Sequence, residues 1–206
     1  MINRGNARAV VFQAQTDYQE FVDLLRPACD RIRVRVLGYC LMPNHFHLVL
    51  WPRAGGDLGR WMQWLMTSHV RRHHRRHGGS GHIWQGRFKA FPIQNDGHLL
   101  TVLRYVERNA LRAGLAGRAE DWPWSSLRWW GKSPPPFLHP WPVERPGDWL
   151  DWVNQPQAYE ELQALRRCVN RGTPFGDDGW VGRVVRRLGL EFTVRPPGRP
   201  RKEGKK

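Results

Sequence analysis

Ile32-Arg33-Val34-Arg35-Val36-Leu37-Gly38-Tyr39-Cys40-Leu41-Met42-Pro43-Asn44-His45-Phe46-His47-Leu48-Val49-Leu50-Trp51 is the stretch on which the fold turns. Ile32, Val34 and Val36 alternate with Arg31, Arg33 and Arg35, which predicts a half-buried strand over 32–41 with a basic outer face. Met42-Pro43-Asn44 interrupts it, and His45 to Trp51 continues as a second strand. So short a break predicts an antiparallel hairpin. Working outward, Asn3-Arg4-Gly5-Asn6 reads as a turn, and Asp17 caps a helix carrying Tyr18, Phe21, Leu24 and Leu25, with Pro27 near its end. After the hairpin, Asp57 opens a helix whose apolar residues Leu58, Trp61, Met62, Leu65 and Met66 recur at helical spacing, and Gly78-Gly79-Ser80-Gly81 stops it. A strand is expected over Arg87–Ile93, then a long helix over Gly97–Ala113, capped by Asn95 or Asp96 and ended by Gly114. Strands interspersed with helices, and a hairpin in place of regular βαβ units, predict an α+β domain with an antiparallel sheet.

Charge narrows the partners. The 206 residues carry 33 Lys and Arg against 18 Asp and Glu, a formal net charge of +15, which suits a polyanion. Nucleic acid is the first candidate and an anionic membrane surface the second. Twelve Trp are many for this length; more than half are expected in the core or over loops, the rest being suited to stacking on unpaired bases. Cys29, Cys40 and Cys168 are scattered and odd in number, which argues against a disulfide scaffold or a cysteine-rich zinc site and fits a reducing cytoplasm. No apolar run approaches the ~20 residues of a membrane span, and the first residues have no signal-peptide character.

Chemistry concentrates at two places. On a strand, His45 and His47 face one way and Phe46 the other, so two imidazoles stand together as a pair of metal ligands. A bare H-x-H is more often the mark of two satisfied histidines on a sheet face. On the long helix Tyr105 and Asn109 share a face one turn apart. Two imidazoles and the Asn109 amide oxygen would leave positions for water and a phosphate oxygen on Mg²⁺ or Mn²⁺. The Tyr105 phenol beside them is a weak nucleophile until a metal or a base activates it. Taken singly, Tyr105 suits a core position and Asn109 a polar helix end.

The run Gly38 to Val49 resembles the signature of the single-tyrosine HUH (IS200-like) transposases, and the chain most resembles their REP-associated members. Asn3-Arg4-Gly5-Asn6, Trp84-Gln85-Gly86-Arg87-Phe88, Tyr105-Val106-Glu107-Arg108-Asn109, Trp124-Ser125-Ser126 and Gly198-Arg199-Pro200-Arg201-Lys202 match in family order across nearly the whole chain. The resemblance implies a ferredoxin-like sheet with the histidines on a central strand and the tyrosine on a helix packed across it. It implies His45, His47 and Asn109 as metal ligands and Tyr105 as nucleophile. The implied reaction cleaves and rejoins single-stranded DNA at REP-like hairpins through a 5′-phosphotyrosine, without ATP, in the nucleoid-associated cytoplasm of a bacterium. Relatives carry a few more residues ahead of Asn3, which leaves either a short edge strand or a misplaced start. Glu107 should face away from Tyr105 and is not nominated as a base.

Other residues bind in this reading. Arg71, Arg72, Arg75 and Arg76 form a basic helix end that is equally a solvated terminus or a phosphate surface. Arg87 is assigned to a phosphate or base, and Arg183, Arg186 and Arg187 to phosphates. Arg199 and Arg201 lie in a tail resembling an AT-hook core, expected to be disordered when free. Ser125-Ser126 is read as a helix cap before a DNA contact. The organisation is a catalytic domain over 1–131, a proline-rich linker over 132–157 and a basic helical extension over 158–206. Two rivals remain: a domesticated, non-catalytic hairpin-binding protein, and a phosphodiesterase using the H-x-H pair to activate water.

Overall fold

The computed structural model describes residues 1–195. The hairpin is as expected: β2 (Val34–Met42) and β3 (His45–Pro52) pair antiparallel through the two-residue turn Pro43-Asn44, with Met42 opposite His45 and Cys40 opposite His47. The Asn3–Asn6 segment does not form the expected turn alone. Ile2–Arg4 is a short strand, β1, pairing with β3 so that Ile2 faces His47 and Arg4 faces His45. The sheet order is β1-β3-β2, which puts the histidine strand in the centre. The strand expected over Arg87–Ile93 is a correction: that segment touches the sheet only through Lys89, whose N–H and C=O pair with Ile2 at 2.9 Å, while Ile93 bridges to Phe175. Even so, the Lys89 bridge occupies the place beside β1 that a fourth ferredoxin-like strand would take.

Helices cover both faces. Helix α1 (Gln15–Arg31) and helix α2 (Asp57–His77) bury Phe21, Leu24, Leu25, Trp61, Met62 and Leu65 against Val36, Tyr39, Leu41, Phe46 and Leu48. On the other face α3 (Gly97–Glu107) packs Leu99, Val102, Leu103 and Val106 against Leu37, Cys40, Met42 and Val49. Strand β2 is therefore not half-buried: from Val36 to Met42 every residue is buried. A register shift between Val36 and Gly38 explains why simple alternation fails there. Before it the even residues Val34 and Val36 face α1; after it the odd residues Tyr39 and Leu41 do. Gly38 suits the bulge, because a Cβ there would lie 2.7 Å from Leu103 Cδ2. Phe46 is wholly buried among the first helices and fixes which face its two histidine neighbours take. Truncating it would cost about 3–5 kcal/mol.

Asp17 sits inside α1 rather than at its cap, its Oδ2 accepting from the N–H groups of Gln13 and Ala14. The long helix over 97–113 is divided: α3 ends at Glu107 and α4 (Asn109–Arg112) follows after Arg108. Asp96 caps α3 by accepting from His98 N. The proline-rich segment lies against the edge of β2, where His139 N donates to Val36 O at 2.8 Å and Trp141 Nε1 to Leu37 O at 2.7 Å. Helix α5 (Trp149–Asn154) buries Trp149 and Val153 completely in the second core. Helices α6 (Tyr159–Arg171), α7 (Asp178–Leu188) and α8 (Glu191–Val194) complete the described chain. No described helix is long and apolar enough to cross a membrane.

Candidate active site

The pairing of β1 on β3 and the packing of α3 across the sheet bring His45, His47, Tyr105 and Asn109 into one cleft of about 280 Å³. The imidazoles of His45 and His47 are 5.1 Å apart between ring centres, and the Tyr105 ring stands 5.7 Å from that of His47, nearly perpendicular to it. Burial holds both histidines neutral: His45 is lowered to about 4 by desolvation and by Arg4 and Arg112, and His47 lies well below the usual range, with desolvation again the leading cause. Asn44 orients His45. Its Nδ2 donates to Arg8 O, so its Oδ1 faces His45 Nδ1 at 2.6 Å. A carboxamide oxygen can only accept, so Nδ1 carries the proton and Nε2 keeps its lone pair. This is the arrangement in which a metal-ligating histidine is usually held.

Asn109 is 1 % exposed and donates through Nδ2 to Tyr105 O at 3.0 Å, locking its side chain beside the tyrosine's own turn. Its Oδ1 accepts from Arg112. The Arg112 guanidinium also lies 4.4 Å from the centre of the Tyr105 ring, and its second terminal nitrogen is buried without a hydrogen-bond partner. Among the described residues no group of three or more His, Cys, Asp or Glu is placed to hold a metal ion. A divalent cation would thus take two neutral imidazoles and the Asn109 amide oxygen, a donor set that fits a cation whose remaining positions go to water and phosphate. No carboxylate lines the cleft, while Arg4, Arg112 and Arg166 do. Its excess of positive charge suits an incoming phosphate and disfavours a bare cation.

Arg4, Asn44, Arg112, Arg166 and Asn170 were not singled out from the sequence as site residues. Arg4 and Asn44 lie within the Asn3–Asn6 and Gly38–Val49 motifs. Arg112 follows Asn109 by three positions on the same helical face, which was a usable signal. Arg166 and Asn170, on α6, reach the cleft only through the tertiary fold.

The expected binding residues do not share this cleft. Arg72 and Arg76 are drawn to α1, Arg72 donating to Glu20 O and Arg76 pairing with Glu20 and Asp17, while Arg71 and Arg75 are exposed. Arg87 is exposed beside Arg4 and Lys89 in a small neighbouring hollow. Arg183, Arg186 and Arg187 are exposed on α7. Arg199 and Arg201 lie outside the described residues. Ser125 caps the 3-10 turn Ser126–Trp129 by accepting from Leu127 N, as the capping expectation had it. Ser126 is buried and donates to Glu107 at 2.7 Å.

Comparison with known proteins adds two findings. The family model described as "Transposase IS200 like" matches residues 1–109. Among solved structures, the chain is similar to a REP-associated tyrosine transposase bound to a REP hairpin, at 18% identity and a TM-score of 0.54, over 76% of this chain and 89% of that one. At that identity the likeness is one of fold. No curated protein matches the chain.

Proposed function

Because the chain belongs to the IS200-like transposase family, we propose that it cuts and rejoins single-stranded DNA at REP-like hairpins, with Tyr105 as the nucleophile. The observation that carries this reading is the convergence of His45, His47, Tyr105 and Asn109 on one arginine-lined cleft. The Tyr105 oxygen attacks a DNA phosphate, forming a P–O bond to the tyrosine as the P–O3′ bond breaks. The phenol gives up its proton, and the departing 3′ oxygen takes one to become a hydroxyl. A 3′-hydroxyl attacking the phosphotyrosine reverses the step and releases the phenol. One phosphodiester is exchanged for another, so no ATP is consumed.

His45, His47 and Asn109 would hold Mg²⁺ or Mn²⁺, which supplies Lewis-acid stabilisation of negative charge at the phosphate. Asn44 keeps His45 in the tautomer that ligation needs. Arg112 is the cation against the Tyr105 ring, and a phosphate entering the cleft draws it from Asn109, freeing the amide oxygen. Arg4 and Arg166 add charge-assisted contacts to the strand. The segment from 158 onward, which supplies Arg166 and Asn170, helps hold the DNA.

The test is a cleavage assay on a labelled single-stranded REP hairpin from the host genome with Mg²⁺ or Mn²⁺, comparing wild type with Tyr105→Phe. A denaturant-resistant protein–DNA adduct in the wild type alone is expected. Cleavage by both proteins without an adduct would refute the tyrosine mechanism in favour of metal-activated water. Tight binding without cleavage, across several hairpins and both metals, would leave a hairpin-binding protein.

A further inference from the structure

Two surface clefts away from the histidines meet at one side chain. The first, about 450 Å³, opens at the far end of the β2–β3 hairpin around Arg33, Arg35, Trp51 and Arg53. The second, about 440 Å³, lies between Trp129, Trp130, Lys132 and Arg145. His139 lines both, held there by its backbone bond to Val36 on the edge of β2. Together they make one groove, and no Asp or Glu lines either part.

Indole faces and guanidinium groups alternate along it. Trp51 is 39% exposed, and the Arg35 guanidinium stands 5.0 Å from its ring centre. Arg145 lies 3.6 Å from the Trp141 ring and 5.2 Å from that of Trp130, and Arg128, beside the groove, 5.0 Å from the Trp129 ring. Leaving indole area in water is unfavourable unless something covers it. Flat apolar faces among cations, with no anion to repel a phosphate, match a polymer with free base faces and a charged backbone. Bases inside a duplex are already stacked and offer no face to an indole.

We propose that this groove is a second nucleic-acid site, which takes unpaired DNA continuing from the strand held in the cleavage cleft. The groove itself is argued from its own residues; only the choice of DNA as the strand rests on the transposase reading. Its position sets a length. By the alternation of β3, Trp51 continues the row of His45, His47 and Val49, so it stands on the sheet face of the cleavage cleft, opposite Arg35. Six residues at roughly 3.3 Å each separate His45 from Trp51 by about 20 Å. Because α3 covers Val49 between them, a strand must pass around that helix, so about six nucleotides at the ~3.4 Å spacing of stacked bases is the least that joins the two sites.

The test measures binding, not turnover. Fluorescence anisotropy with labelled dT12, and with REP hairpins carrying two or eight unpaired flanking nucleotides, is compared for wild type, Trp51→Ala, Trp51→Phe and the double variant Arg33→Glu/Arg53→Glu, after each is shown to melt like wild type. Trp51→Ala is expected to weaken dT12 binding about tenfold, within the range for losing one base–aromatic stack. Trp51→Phe should restore most of it. The charge-reversed pair should flatten the salt dependence by about 1.4 in slope, for two lost phosphates on a single strand. Of the two hairpins, only the one with the eight-nucleotide flank should show these losses. Unchanged dT12 affinity in both Trp51→Ala and the double variant would overturn the proposal, as would equal losses with the two-nucleotide flank or equal competition by duplex of the same length. A wild type that forms no Tyr105 adduct would remove the cleavage reading while leaving these binding results to stand or fall alone.

Discussion

Glu107 follows Tyr105 by two residues and is wholly buried. Its Oε1 accepts from Ser126 Oγ at 2.7 Å and its Oε2 from Trp149 Nε1 at 2.8 Å, while Ser126 Oγ also accepts from Tyr39 N at 3.0 Å. One carboxyl group thus ties the Tyr105 helix to β2, to the turn at Ser126 and to α5. Each of these buried hydrogen bonds contributes roughly 0.5–1.5 kcal/mol, and a buried donor left without its partner costs about 1–3 kcal/mol. Part of that offsets the cost of burying a polar carboxyl group. Glu107→Ala should therefore lower stability by about 3 kcal/mol, leaving the Trp149 N–H without a partner, whereas Glu107→Gln, which keeps an acceptor oxygen, should cost only about 1 kcal/mol. Urea unfolding at pH 7 measures both. Burial also raises the Glu107 pKa, against the pull of Arg145, Ser126 and Trp149. A carboxyl raised on folding gives its stability fully below the unfolded value and loses it as pH climbs toward the folded one. Wild type should therefore lose ground to Glu107→Gln as pH rises above the ordinary glutamate range. Equal destabilisation by Ala and Gln, or a loss under ~0.5 kcal/mol for Ala, would refute the structural role. Loss of the Tyr105 adduct in a fully stable Glu107→Gln would instead make Glu107 a participant in the chemistry.

Gly5→Ala places a Cβ 2.8 Å from Val11 Cγ2 and closer still to the Ala9 carbonyl oxygen; calorimetry should show a loss of about 2 kcal/mol or more, and a wild-type melting curve would contradict it. For Asp17, burial pushes the carboxyl up, but bonds from Ala14, His77 and Gln13 outweigh it and hold the pKa below the usual value. Its stabilisation is present above the unfolded pKa and fades as pH falls below ~4 toward the folded one, so Asp17→Asn should flatten the acid side of the stability profile; an unchanged acid limb is the contrary result. With no carboxylate in the cleft and arginines beside Asn109, Mn²⁺ should bind Tyr105→Phe at least about tenfold more tightly with hairpin DNA present than without. Calorimetric titration giving equal affinities would show that Arg112 does not gate the amide oxygen.

Local pattern was enough for much of this protein. The short break Met42-Pro43-Asn44 between apolar runs specified the hairpin, and the two-residue period of a strand put His45 and His47 on one face with Phe46 on the other. A four-residue interval put Tyr105 and Asn109 together, and glycines marked where α2 ends and where the chain leaves α4, though nothing marked the break at Arg108 between α3 and α4. These are short-range consequences of backbone geometry, so they can be read one element at a time. The bulge at Leu37-Gly38 could not, because nothing in alternation warns that the pleat changes parity when both faces become buried. The Arg87–Ile93 strand failed for a related reason: β-forming residues were present, but a ladder needs a partner edge, and β1 offers only Ile2 to Lys89. Nor did composition show that the proline-rich segment lies along β2 or that Trp149 joins the second core. The arginines of the cleft are the clearest case. Arg4, Arg112 and Arg166 come from the first strand, the short helix α4 and a helix some fifty residues later. What each residue can do chemically was determined by its type and its neighbours in the chain; which residues line the same cleft was decided by tertiary burial, because sequence carries no measure of distance between elements until they pack.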